Sequence, residues 1–162
     1  MKSSKTLALR LKFLADVARK ESHHLQLTNQ KLFAHVFTLE RAKTLEADLA
    51  LSESLDAFIA RFGRLQDTLG DKFLPLLLTV MNESVGAAID NLDKAERLGL
   101  IQSVNEWIEL RKLRNQMVHE YINDLSVLVG AVQKGHEFVP ILLATAEKFN
   151  EEAQKRLERL AQ

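Results

Sequence analysis

Apolar residues recur at three- and four-residue spacing along almost the whole chain: Leu7, Leu11, Leu14, Val17 and Ala18 first, then Leu51, Leu55, Phe58, Phe62, Leu65 and Leu69. That is the period of a helix burying one face, and no stretch alternates as a half-buried strand does. Near the C-terminus, Leu142, Ala146, Phe149, Ala153, Leu157 and Leu160 form a narrower stripe, of the width that packs along another helix. The pattern predicts an all-α fold, an up-and-down helical bundle of five or six helices. Ser52 with helix formers after it, Gly70 with Pro75, Gly86, Gly99, and Gly135 before Pro140 supply the punctuation. The expected helices run over about 4–46 with a possible break near Thr28-Asn29, then 52–83, 86–97, 103–120, 123–134 and 138–160. With no repeat and no linker, residues 1–162 read as one domain, the first 46 or so as an N-terminal helical extension.

Composition narrows the chemistry. The 22 basic and 22 acidic residues cancel, so a nucleic-acid partner has to be met by a local patch. The chain has no cysteine, which removes disulfides, thiolate nucleophiles and cysteine metal sites together. Its six glycines stand alone, so neither a phosphate-cradling loop nor a dinucleotide fingerprint can be drawn. His23, His24 and His35 have no partner at a metal-binding spacing, and neither HExxH nor Gly-x-Ser-x-Gly occurs. No cofactor and no metal are therefore expected. The segment MKSSKTLALRLKFLADVARK carries charges through its apolar stretch and does not read as a signal peptide. The run FLPLLLTVMN is far short of the roughly 20 residues that cross a bilayer. A soluble, cytoplasmic protein with no membrane partner is the expectation.

The stretch LRNQMVHEY, Leu113 to Tyr121, departs from plain helix. At about 100° per residue, Arg114 and Tyr121 nearly superpose, as do Asn115 and His119, so all four polar groups share one side of the helix. Leu110, Leu113, Met117 and Val118 are placed to anchor it beside and behind them. A solvated face is the ordinary reading of such residues. Arginine and histidine are also types that carry chemistry: histidine titrates near neutrality and can give or take a proton, and arginine offers a fixed charge with planar donors matched to phosphate. Arg114 and His119 lie about 140° apart by the helical period, and one histidine does not easily serve as acid and base at once.

The segment Arg114-Asn115-Gln116-Met117-Val118-His119-Glu120-Tyr121 resembles the signature of the HEPN superfamily, an Arg, four to six residues and a His, with Asn following the Arg. The Tyr two after the His is similar to the HepT-like branch, toxins paired with a minimal nucleotidyltransferase antitoxin. The preceding GLIQSVNEWIELRK, and more weakly IARFGRLQD with Arg61-Phe62 and Asp67, are similar to the same relatives, so the resemblance covers roughly residues 50 to 135. It implies a homodimeric endoribonuclease with Arg114 and His119 catalytic, Asn115 orienting, and Arg61 and Asp67 as auxiliary residues. It implies RNA as substrate and neutralisation by an MntA-like nucleotidyltransferase that attaches adenylate to Tyr121. Two other readings stay open: a non-catalytic HEPN module that partners a nucleotidyltransferase, and a helical structural or interaction protein.

Overall fold

The computed structural model describes residues 3–162, save the side chains of residues 120–122. Every regular element among the described residues is helical: α1 Ser4–Leu32, α2 Leu39–Ala42, α3 Leu49–Asp67, a π-helical turn Thr68–Phe73, α4 Leu74–Val80, α5 Ala88–Arg97, α6 Val104–Asn123 and α7 Leu125–Leu160. This is the all-α class that the periodicity predicts.

Four helices form a closed ring in which α1 packs on α3 and α7, and α6 packs on the same two. Each neighbour runs antiparallel to the next. Arg61 and Thr68 of the α3 side bond to Thr28 and Glu21 of α1, while Asp67 and Asp71 pair with Arg114 and Arg111 of α6. Asn29 of α1 bonds to His136 of α7. Inside the ring the expected stripes are buried together, with Leu11, Leu14 and Ala18 meeting Leu55, Phe58, Phe62 and Leu65, and Leu142, Ala146 and Phe149. Phe33 and Phe73 meet Phe58 and Phe149 edge-on, at centroid distances of 5.5 and 5.4 Å. Full burial of such side chains stabilises by roughly 1.5–3 kcal/mol each. Because α1 buries Leu11, Leu14, Leu25 and Leu32, the stretch read as an extension is a wall of the core.

The helix ends differ from the expected ones for local reasons. The first helix passes through Thr28-Asn29 unbroken and ends at Leu32, because Thr28 is buried and its hydroxyl accepts from Arg61. Asp48, rather than Ser52, starts α3, its Oδ1 accepting from the Leu51 N–H at 3.0 Å. Asn82 and Gly99, both at positive φ, end α4 and α5 with left-handed caps.

Gly70 and Pro75 do not break their helix; they mark the π turn. Proline has no N–H and its ring presses on the carbonyl four residues back. Widening the preceding turn relieves that contact, and the Leu74 N–H reaches the Leu69 carbonyl instead. Gly135 and Pro140 also leave α7 continuous over 36 residues. A side chain at Gly135 would meet Met117 Sδ at 3.4 Å, so this glycine serves helix packing. Pro140 lies on the solvent side, where water can replace its missing donor. Continuity gives α7 a window of 18 residues with mean hydropathy 1.3, long and apolar enough to cross a bilayer, yet 44% of that window is buried in the bundle.

Candidate functional site

The helix carrying Arg114 and His119 is fixed in rotation before any polar group is considered. Ser103 Oγ and Glu96 Oε2 accept from the Glu106 and Val104 N–H groups at 3.3 and 3.1 Å, capping α6. Trp107, Leu110, Leu113 and Met117 then face the core. Val118, expected among those anchors, is 52% exposed. Its place next to Met117 puts it at the rim of the α3–α6 seam, one step past the buried face.

Arg114 lies in that seam. Its stem crosses Gly63 of α3 so closely that a Cβ there would sit 3.0 Å from Nε and 3.2 Å from Cγ. Its Nη2 donates to Asp67 Oδ2 at 3.5 Å. Two turns further on, within the π turn, Gly70 repeats the device beneath Trp107, whose indole would be 3.2 Å from an added Cβ. A second ion pair, Arg111 Nη2 to Asp71 Oδ1 at 3.2 Å, makes the next rung. Beside Arg114 opens a cleft of about 370 Å³ bordered by Asp56, Arg64, Met117 and Val118. The Arg114 side chain is 39% exposed and that of Asp67 46%, so the pair is worth about 0–1 kcal/mol. The guanidinium is aimed without being sequestered. A phosphate can displace Asp67 from it.

His119 and Asn115 are exposed on the outer side of α6, and the His119 carbonyl accepts from Asn123 Nδ2 at 3.1 Å. The imidazole does not border the Arg114 cleft. Arg114 and His119 are thus presented by one helix but do not converge within one protomer. Tyr121 lies outside the residues whose side chains are described. Asp67, expected as an auxiliary residue, pairs with Arg114, whereas Arg61, expected in the same role, points the other way. Arg61 Nη1 bonds to the Thr28 hydroxyl and, at 3.3 Å, to the His24 carbonyl, tying α3 to α1. His23, His24 and His35 are exposed, and no group of three acids or histidines among the described residues could hold a metal ion.

A half-buried carboxylate sits behind the π turn. Glu21 of α1 accepts from the Thr68 hydroxyl with both oxygens, at 2.9 and 3.0 Å. Burial pushes its pKa above the usual glutamate range, against the opposing pull of the Thr68 bond and of Arg64 and Lys72. Arg64 borders both this pocket and the Arg114 cleft. Gly63, Arg64 and the Arg111–Asp71 rung do not stand out in the sequence pattern. A lone glycine inside a helical pattern, which costs roughly 1 kcal/mol relative to alanine, is the signal that points to Gly63.

No family model, no curated protein and no solved structure matches this chain.

Proposed function

We propose that the chain is a metal-independent endoribonuclease of the HEPN, HepT-like kind, acting as a homodimer in the cytoplasm and neutralised by a nucleotidyltransferase. The observation that carries this reading is Arg114, whose half-exposed guanidinium reaches past Gly63 to Asp67 at the edge of an open cleft, with exposed His119 five residues on. In the proposed reaction, an imidazole takes the 2′-hydroxyl proton and the freed oxygen attacks phosphorus. The bond to the 5′-oxygen breaks, that oxygen leaves with a proton, and a 2′,3′-cyclic phosphate remains. Arg114 meets the charge gathering on the non-bridging oxygens, with donors matched to phosphate. Asn115 orients the histidine or the strand.

Base and acid are then the two His119 side chains of a dimer whose α6 helices approach each other. Exposed Val118, between the two catalytic positions, suits such an approach. Adenylate attached to Tyr121 by the partner would block RNA by charge and bulk. The test is incubation of the purified chain with RNA in chelator, followed by analysis of the product ends. Cyclic phosphate ends, lost in both Arg114→Ala and His119→Ala with helicity intact, support the reading; a strict magnesium requirement or cleavage surviving in both variants removes it.

A second reading is favoured by the Arg114–Asp67 contact, since a carboxylate on the guanidinium competes with phosphate. In it the chain is a non-catalytic module that binds a nucleotidyltransferase through the same face. Stable complex formation with such an enzyme, without RNA cleavage by the chain alone, selects it.

A further inference from the structure

A second cleft opens between α1 on one side and the π turn and α4 on the other. It measures about 460 Å³ and its walls include Arg10, Phe13, Asp71, Lys72 and Pro75. Phe13 is 66% exposed, although Phe37, Phe58, Phe62, Phe73 and Phe149 are all buried. A ring of that size left in water forgoes roughly 1.5–3 kcal/mol of burial, so its exposure calls for a reason. The Asp71 carboxylate is engaged by Arg111, which leaves Arg10 and Lys72 as the other charges of the cleft.

Two ion pairs lie between this cleft and the Arg114 site. Asp71 lies one turn beyond Asp67, roughly 6 Å by the helical rise, and their partners Arg111 and Arg114 are one turn apart on α6. From Phe13 to Arg114 the face carries Arg10, Lys72, Arg111, Arg64 and Arg114 against Asp71, Asp67 and half-buried Glu21, with Asp56 closing the far end. Arg111 and Arg114 are paired with Asp71 and Asp67, which leaves Arg10 and Lys72 as the cations offered by the α1 cleft.

An exposed aromatic flanked by cations along a groove is the arrangement that binds single strands, bases stacking on the ring and phosphates tracking the charges. Bases paired in a duplex are not free to stack this way. We infer that the α1 cleft is a single-stranded RNA subsite: Phe13 stacks on a base while Arg10 and Lys72 hold the neighbouring phosphates, a few nucleotides from the linkage at Arg114. The inference rests on the ribonuclease reading for the identity of the strand, but not for the binding.

The test uses the full chain and a fluorescein-labelled single-stranded RNA 12-mer, 2′-O-methylated so that it cannot be cut, with anisotropy followed over a salt series. Phe13→Ala should bind roughly tenfold more weakly at unchanged salt slope, and Phe13→Trp should restore affinity. The double variant Arg10→Ala, Lys72→Ala should lower the slope of log K against log salt by about 1.4, at about 0.7 for each phosphate no longer neutralised. Phe13-dependent binding without cleavage of the unmodified strand supports the subsite and removes only the nuclease. Wild-type affinity in Phe13→Ala, or an unchanged KM for a cleaved strand in that variant, overturns the subsite. So does Phe13-dependent binding to phosphatidylserine vesicles in place of RNA.

Discussion

Gly63 and Asp67 set the reach of Arg114, and each can be varied without touching the core. Gly63→Ala places a methyl group against the Arg114 stem, 3.0 Å from Nε, while removing a helix-interior glycine. Stability should hold or rise by up to about 1 kcal/mol, since alanine is the better helix former. RNA cleavage should fall severalfold, since a 1 Å misplacement of a catalytic group costs about a hundredfold and this contact asks for less. Thermal melting and kcat on the same preparation separate the two effects, and full activity in the variant would mean that the arginine position is not critical. Asp67→Asn removes a half-exposed partner of little energetic weight, so the melting temperature should barely move while RNA is held more tightly. Weaker RNA binding would show that the carboxylate assists rather than competes. Glu21 makes a pH prediction. Its raised pKa means that the folded state holds the proton more strongly than the unfolded chain, so stability from this group falls as pH rises from the ordinary glutamate range through the folded pKa. Glu21→Gln, which stays neutral, should lose that dependence and gain relative stability toward neutral pH; parallel denaturation curves across pH would refute it. At this scale the sequence singles out Arg114, His119 and Asp67 as candidates, from patterns that lie within single helices. It cannot reveal that Gly63 lies under Arg114, or that Arg61 turns to α1, because both depend on which helices become neighbours.

Among the elements, the stripes and the breaks near Gly86 and Gly99 are legible in the sequence, whereas the breaks expected at Gly70, Pro75, Gly135 and Pro140 do not occur. Leu51 to Leu69 and Leu142 to Phe149 follow the helical period and are buried as that period demands. Gly135 and Pro140 are breakers by local propensity, yet α7 continues through both because Met117 and Phe58 fill the space at Gly135 and Pro140 faces solvent. Tertiary packing overrides propensity wherever the packed face is intact. Between α6 and α7 a true boundary does exist, and Asp124 makes it. Its Oδ1 accepts from the Ser126 and Val127 N–H groups at 3.0 and 3.2 Å, with one residue separating the helices. Asp124→Ala should destabilise the protein by about 1 kcal/mol and raise hydrogen exchange in the first turn of α7. Unchanged exchange there would show that packing of Leu128 and Val129 holds the end without a cap.

For the whole molecule, the proposed reaction requires an assembly, because Arg114 and His119 are separated within one chain. Mixing Arg114→Ala chains with wild-type chains should lower cleavage more than dilution does, because each mixed dimer loses an arginine from its shared groove. Activity that simply tracks wild-type content, or a monomer by sedimentation at micromolar concentration, would remove the shared site while leaving the bundle as it is. The π turn has a further consequence for the long helical run from Leu49 to Val80. A π turn amounts to one surplus residue absorbed within a helix, so it resets the angular phase between the segment before it and the segment after it by about 100°. Upstream, that phase directs Asp67 to Arg114; downstream, it directs Leu74, Leu77 and Leu78 into the core. Removing a single residue between Thr68 and Phe73 would leave a regular helix with either its polar contacts or its apolar face turned aside, so the segment tolerates substitution far better than a change of length.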